Sequence, residues 1–225
     1  MATNDDLDPG TPTRRRPPEV RRRMLLDAAR GVIAERGLHA TTVRDIAAAG
    51  GVAVGTVTYH FSGIEEVLAG VLESETERYS APIWVRAATA ASGRDGLTTL
   101  IDGLVASDSR TYEHWKLWLD FWALAAHYPQ YSSWQSQVYR DLHQLTASIL
   151  TRGQLDGTLL VPDPATEAVR FIALLDGLVV QSYLPESRLS PGAARTALHS
   201  YVQATMTPLA QSAPQHPAPP YSALP

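Results

Sequence analysis

Apolar residues recur three and four places apart along almost the whole chain, and that spacing predicts one helix after another. Met24, Leu25, Ala28, Ala29, Val32 and Ile33 set the first, over 19–36, and Gly37 stops it. Thr41 or Thr42 caps a short helix over 43–49, with Asp45 in its first turn. Gly50 and Gly51 make a turn, and another short helix starts at Ala53 or Val54 and closes at Phe61. A longer one begins near Ile64 with Glu65 and Glu66 at its positive end, and Pro82 either ends or restarts it. Further helices are expected over 94–107, 111–127, 131–152, 164–184 and 191–207. No alternating run of β-branched residues marks a strand, so the pattern predicts an all-α fold.

The two ends differ from this body. Residues 1–18 are polar and broken by Pro and Gly, which predicts a disordered arm; residues 209–225 form a Pro-rich tail of the same kind. Between them the expected organisation is a helix-turn-helix domain over 19–63 and a larger helical domain over 64–208.

Charge divides the chain in a way that its net of −4 conceals. Residues 14–62 carry nine arginines against four acids, whereas residues 63–225 carry ten bases against sixteen acids. A basic N-terminal part on an acidic body is the asymmetry expected when one region meets phosphate and the rest does not. With no cysteine there is no thiolate metal site and no Cys nucleophile, and the chain has no apolar run of the ~20 residues that a membrane span needs. A soluble, cytoplasmic protein with no membrane partner is expected.

Two short helices joined by a Gly turn let the second enter the major groove of DNA while the first braces across the backbone. Val43, Ile46, Ala47, Val52, Val57 and Phe61 are spaced to pack on the first helix. That leaves Arg44, Thr56, Thr58, Tyr59 and His60 facing outward, and Gly55 has no side chain to hold the helix away from the groove. Thr41 and Thr42, at a helix start, are placed to meet a phosphate. Thr56 suits a base edge or a thymine methyl, and Tyr59 and His60 suit phosphates or base edges. Gly50 and Gly55 also have phosphate-loop separation, but Thr56 stands where that motif needs Lys and no strand precedes it, so that reading is rejected. Arg21–Arg23 are at least partly solvated charge on a helix.

Residues 21–68 resemble the N-terminal domain of the TetR family of bacterial transcriptional regulators. The run Thr41-Thr42-Val43-Arg44-Asp45-Ile46-Ala47, then Gly51-Val52, Gly55-Thr56 and His60-Phe61, carries the resemblance. It implies DNA contacts from Thr42, Arg44, Thr56, Tyr59 and His60. The chain departs from the family pattern at Ala53 (usually Ser, a helix cap), at Thr58 (usually Tyr) and at Ile64 (usually Lys, which meets a phosphate). Arg14, Arg15 and Arg16 offer a compensating grip on the backbone.

Residues 111–134 hold four of the five tryptophans. Trp115, Trp118 and Trp122, at i, i+3 and i+7, share one helical face. Such a stripe packs a core or lines a ligand pocket with indole N–H groups and faces suited to a cation. The candidate pocket residues are Trp115, Trp118, Phe121, Trp122, His127, Asp176 and Tyr183. The later part resembles the BetI-type subgroup of the same family, carried by Asp176-Gly177-Leu178 and the Gly153-x-x-x-Gly157 loop. That implies dimerisation through the helices at 164–184 and 191–207, where Ala173, Gly177 and Gln181 at i, i+4 and i+8 allow close approach. Two-fold pairing sets two reading heads about 34–36 Å apart on a palindromic operator.

No cofactor and no metal site is expected, because the seven histidines are scattered and no metal or hydrolase motif occurs. The expected function is a dimeric repressor that binds a double-stranded DNA operator and is released by a small-molecule effector. The alternatives are a helical regulator with no such effector and a helical enzyme.

Overall fold

The structure, a computed structural model, describes residues 17–207. Most of the expected arm and the whole of the expected tail therefore lie outside the described residues. The elements are α1 (Pro18–Arg36), a 3-10 turn (Leu38–Ala40), α2 (Val43–Ala49), α3 (Val54–His60), α4 (Ile64–Glu75), a π turn (Thr76–Ser80), α5 (Ala81–Ala88), α6 (Gly93–Leu104), α7 (Ser109–Ala125), α8 (Pro129–Leu155), α9 (Pro164–Tyr183) and α10 (Pro191–Met206). No strand occurs among the described residues, and the all-α expectation holds.

The ends of these helices follow from local chemistry. Thr42 caps α2, Ser92 caps α6, Asp108 caps α7 and Ser190 caps α10, each accepting a backbone N–H three residues on. Of the two expectations for Pro82, restart is the one observed. It sits as the second residue of α5, directly after a π turn in which the Ala81 N–H bonds to the Thr76 carbonyl. Proline has no N–H for the carbonyl four residues back. That carbonyl belongs to Arg78, and the Arg110 guanidinium of α7 donates to it instead.

The chain divides into two compact units. The first comprises residues 17–82, 107–138 and 183–185 among those described. Its core joins Leu25, Ala29 and Ile33 of α1 to Ile46, Val57, Phe61 and Val71. A side-chain carbon on Gly70 of α4 would stand 2.9 Å from Leu26 of α1, so the bare glycine permits the close crossing of these helices. The expected boundary at 63/64 falls inside this unit.

The second unit comprises residues 83–106, 139–182 and 186–207. Leu97, Leu100 and Ile101 of α6, Ile149 and Leu150 of α8, Phe171, Ile172 and Leu175 of α9, and Leu198 of α10 form its core. The start of α6 meets α8 backbone to backbone: a side-chain carbon on Gly93 would come within 2.2 Å of Gly153. Arg152 bonds the carbonyls of Ala87 and Ser92 at 3.0 and 3.1 Å, at the end of α5 and the N-cap of α6.

Candidate nucleic-acid interface and effector site

The reading segment is held from beneath by its own apolar residues. Ile46, Ala47, Val57 and Phe61 are buried against α1, and Val43 and Val52 are half-buried. Gly51 takes φ +61°, a left-handed conformation that favours glycine, and so turns the chain from α2 into α3. Arg22 lies 4.8 Å over the Phe61 ring and closes the far end of this small core.

With that face buried, Arg44, Thr58 and Tyr59 are exposed and Thr56 and His60 half-exposed. Tyr59 projects furthest, at 75% exposure, with His60 edge-on to it at 5.0 Å. No side-chain atom lies near the bare α-carbon of Gly55, which leaves the helix surface low there. A groove of about 710 Å³ runs along one flank of α3, with Thr56, Tyr59 and His60 on one side and Pro17, Pro18 and Arg21 on the other.

The two threonines separate sharply. Thr42 is the exposed N-cap of α2: the Asp45 N–H donates to its hydroxyl at 3.3 Å, and its own N–H donates to the Asp45 carboxylate at 3.0 Å. The Thr42 hydroxyl, which donates to the Asp45 carboxylate at 2.5 Å, and the Thr42 N–H hold that carboxyl below the usual carboxylate range, with the Arg36 guanidinium 2.8 Å away adding to the effect. Thr41 is buried, and its hydroxyl donates to the Gly37 carbonyl at 2.8 Å. The Thr41 N–H, expected to be open to a phosphate, donates to the Leu38 carbonyl at 3.3 Å, so Thr41 fastens the loop before α2. Ala53 makes no cap bond at the start of α3, as its side chain dictates.

A polar brace ties the reading segment to α7. The Glu75 carboxylate accepts from Arg30 Nε of α1 at 3.0 Å and from His114 Nδ1 of α7 at 3.0 Å. Burial opposes the charged form of Glu75, but the His114 hydrogen bond and the Arg30 guanidinium outweigh it and hold its pKa below the usual value. Burial likewise keeps His114 neutral, with its pKa below the ordinary histidine value. The Lys116 ammonium bonds the Ala34 carbonyl at 2.5 Å, and Asp120 accepts the Leu38 N–H at 3.2 Å. Sequence reasoning missed this brace, although an acid at position 75, in register with the apolar Val71, Leu72 and Tyr79, was a visible signal.

The aromatic residues of the first unit form two groups. Trp115 packs with Trp122 at 6.2 Å and with Tyr183 at 6.2 Å, while Tyr183 meets Tyr112 at 5.0 Å. Trp118 stacks on Trp134 at 5.5 Å, and Phe121 meets that same ring edge-on at 5.3 Å. Trp118 and Phe121 therefore act as core. The indole N–H groups of Trp118 and Trp122 are enclosed without a protein acceptor. His127 stands exposed in the turn after α7. Asp176 belongs to the second unit, where the Tyr139 hydroxyl donates to it at 2.7 Å and burial raises its pKa to about 6. Among the described residues no acid and histidine cluster suits a metal ion, and no helix is long and apolar enough to cross a membrane.

This geometry defines a helix-turn-helix DNA reader carried on a helical body. The comparisons with known proteins give the class its name. Residues 25–71 match the family model of bacterial regulatory proteins of the tetR family, and residues 93–207 match that of the BetI-type transcriptional repressor C-terminal domain. The chain belongs to the TetR family of transcriptional regulators, with a C-terminal half of the BetI type, and is a DNA-binding transcriptional repressor. It is 26% identical over 192 residues to the regulator BetI of Vibrio parahaemolyticus, covering 84% of this chain and 94% of the relative. The repressor KstR2 of Rhodococcus jostii is 29% identical over 177 residues, covering 73% and 80%. Among solved structures, a transcriptional regulator from Saccharomonospora viridis in complex with choline superposes with a TM-score of 0.77 at 25% identity, covering 85% of this chain and all of that one. The SmeT–triclosan complex superposes at 0.69 with 22% identity, covering 91% of this chain and all of that one, and shares the fold.

Proposed function

We propose that the protein acts as a two-fold dimer on a palindromic operator and is released from it by a small organic cation of the choline class. Arg44, Thr56, Thr58, Tyr59 and His60 meet the DNA, with Thr42 at the start of α2 beside a phosphate. The observation that carries the reading is the polar outward face of α3, held clear of the core by buried Val57 and Phe61. Val169 and Val180, 50% and 36% exposed, with Ala173, Gly177 and Gln181 also exposed, give α9 an outward row suited to a second copy. The effector class is supported by the choline-bound neighbour and by the grouping of Trp115, Trp122 and Tyr183, whose ring faces attract a desolvated cation.

The test is a binding titration of the full chain on duplex from the region around its own gene, with random duplex as control, at about 150 mM salt. Operator binding should exceed random binding by a thousandfold or more, roughly, and choline should weaken it. Equal binding to both duplexes defeats the reading. T56A and Y59A should lower the preference for operator.

A second reading, a regulator with no small-molecule effector, is favoured by the closed stacking of Trp118 on Trp134. A thermal-shift screen with cationic and lipophilic ligands separates the two, since a uniformly null screen supports the second.

A further inference from the structure

Asp176 of α9 is an acid sunk into the second unit with no cation to meet it. One turn away along α9 on either side, Ile172 and Val179 are closed to solvent. The Tyr139 hydroxyl of α8 donates to the Asp176 carboxylate at 2.7 Å, and no basic side chain pairs with it among the described residues. Glu75 in the first unit shows the contrast, since the Arg30 guanidinium holds its buried carboxylate. A carboxylate drawn out of water and matched only by a neutral hydroxyl lowers stability, and burial lifts the Asp176 pKa to about 6. Groups of this kind cluster at functional sites.

The surroundings fit one class of ligand. His143, one turn along α8 from Tyr139, stacks on the Tyr139 ring with centroids 5.8 Å apart and planes at 28°. That contact steadies an aromatic ring beside the carboxylate, and a ring face next to a negative charge suits an organic ammonium ion. Among the described residues no cluster of acids and histidines offers a metal ion its ligands. Two turns along the same face of α8 lies Thr146, fully closed to solvent, whose hydroxyl has no protein partner. Tyr139, His143 and Thr146, at i, i+4 and i+7, thus make a polar stripe whose hydrogen-bonding capacity the fold leaves partly unused. Asp176, Tyr139 and His143 are each half-buried, so the stripe opens to solvent at that end.

We propose that Asp176, with the Tyr139 and His143 rings beside it, binds a small organic cation, the carboxylate supplying the counter-charge and the Tyr139 ring an electron-rich wall. The site lies wholly in the second unit. It rests on the reading of the effector as an organic cation, and it names the residue that answers the charge.

The test is a calorimetric titration of the full chain, at about pH 8 where Asp176 is ionised, with choline and with neohexanol. Neohexanol is the uncharged isostere in which carbon replaces the choline nitrogen. Wild type should bind choline roughly tenfold or more tighter than neohexanol. D176N keeps the shape and removes the charge, so it should bind the two compounds alike, chiefly through loss of choline affinity. Y139L removes the ring and leaves the acid, so it should weaken choline several-fold and retain part of the preference; it keeps the test open should D176N fail to fold. A D176N protein that still prefers choline overturns the proposal, as does a wild type that takes both compounds alike. If that D176N protein also still loses operator when choline is added, the proposed function stands and only this site falls. If wild type binds choline through Asp176 and operator affinity does not move, release by the cation fails and this site stands. A wild type that binds no choline defeats both.

Discussion

Glu75 Oε1 accepts a hydrogen bond from His114 Nδ1 at 3.0 Å, with both side chains almost closed to water. The other carboxylate oxygen is taken by Arg30, so one buried acid joins the end of α4, the reading unit's α1, and α7. Removing the acid strands a cation and an imidazole, and E75A should cost roughly 3 kcal/mol or more. E75Q, which keeps one acceptor, should cost less. Denaturant titration of the two variants checks the order.

The same pair predicts a pH dependence. His114 has its pKa lowered in the fold from 6.5, so below about pH 6.5 the unfolded chain takes up a proton that the folded one refuses. Stability from this group is fully present above that pH and is lost as pH falls through the window beneath it. Glu75, also lowered, adds a loss at more acid pH, as the pH drops below 4.5 and through its folded value. H114N keeps a donor toward Glu75 and has no proton to gain. Its melting temperature should therefore change less than the wild type's between pH 7 and pH 5, roughly the window His114 sets.

Asp176 has the opposite sign. Burial raises its folded pKa from 3.8 to about 6, so the fold prefers its protonated form and loses stability as pH rises from about 4 to about 6. D176N removes the ionisation and leaves an acceptor for Tyr139. The gain should reach at most about 3 kcal/mol at pH 8 and nearly vanish at pH 4, read by thermal melting at both. An equal effect at the two pH values sinks this assignment.

Much of this fold was legible because its signals are local. The spacing of Leu25, Ala29 and Ile33 and the punctuation by Gly37, Gly50 and Gly51 place α1 to α3 almost to the residue. The outward row on α3 follows from which positions must be buried, so Tyr59 and His60 were readable without coordinates. Other features depend on partners distant in sequence. That Thr41 turns inward depends on the Gly37 carbonyl, and the fate of Pro82 depends on Arg110 reaching the Arg78 carbonyl. Helical periodicity put Trp115, Trp118 and Trp122 on one face, but Trp134 decides that Trp118 is core.

That division of the tryptophans is testable. W118A removes a ring stacked on Trp134 and 6% exposed, and should cost about 3–5 kcal/mol in stability. W122F replaces a half-buried indole whose N–H has no protein acceptor, so its stability cost should be under about 1.5 kcal/mol. If Trp122 faces the effector, W122F should weaken the choline response of operator binding several-fold. The reverse pattern, a fragile W122F and a tolerant W118A, contradicts the assignment.

The outward row of α9 gives the last prediction. Ile172, Leu175 and Val179 face inward and are closed to solvent, so α9 needs no further apolar residues for its own core. Yet Val169 and Val180 lie outside, with Ala173 and Gly177 exposed along the same row. A side-chain carbon added at Gly177 would meet nothing within 4 Å of its own chain, so packing within one copy does not require glycine there. Close approach by a second copy does explain it, since small residues let two helix backbones near each other. The variants A173R and G177R should leave the helical content intact while driving the protein to monomer, because two like charges would face each other across a two-fold axis. Operator affinity should fall with the dimer, since each half-site then binds alone, whereas binding to random duplex should change little. Light scattering and the duplex titration read the two effects. A173R and G177R proteins that stay dimeric would move the interface away from α9.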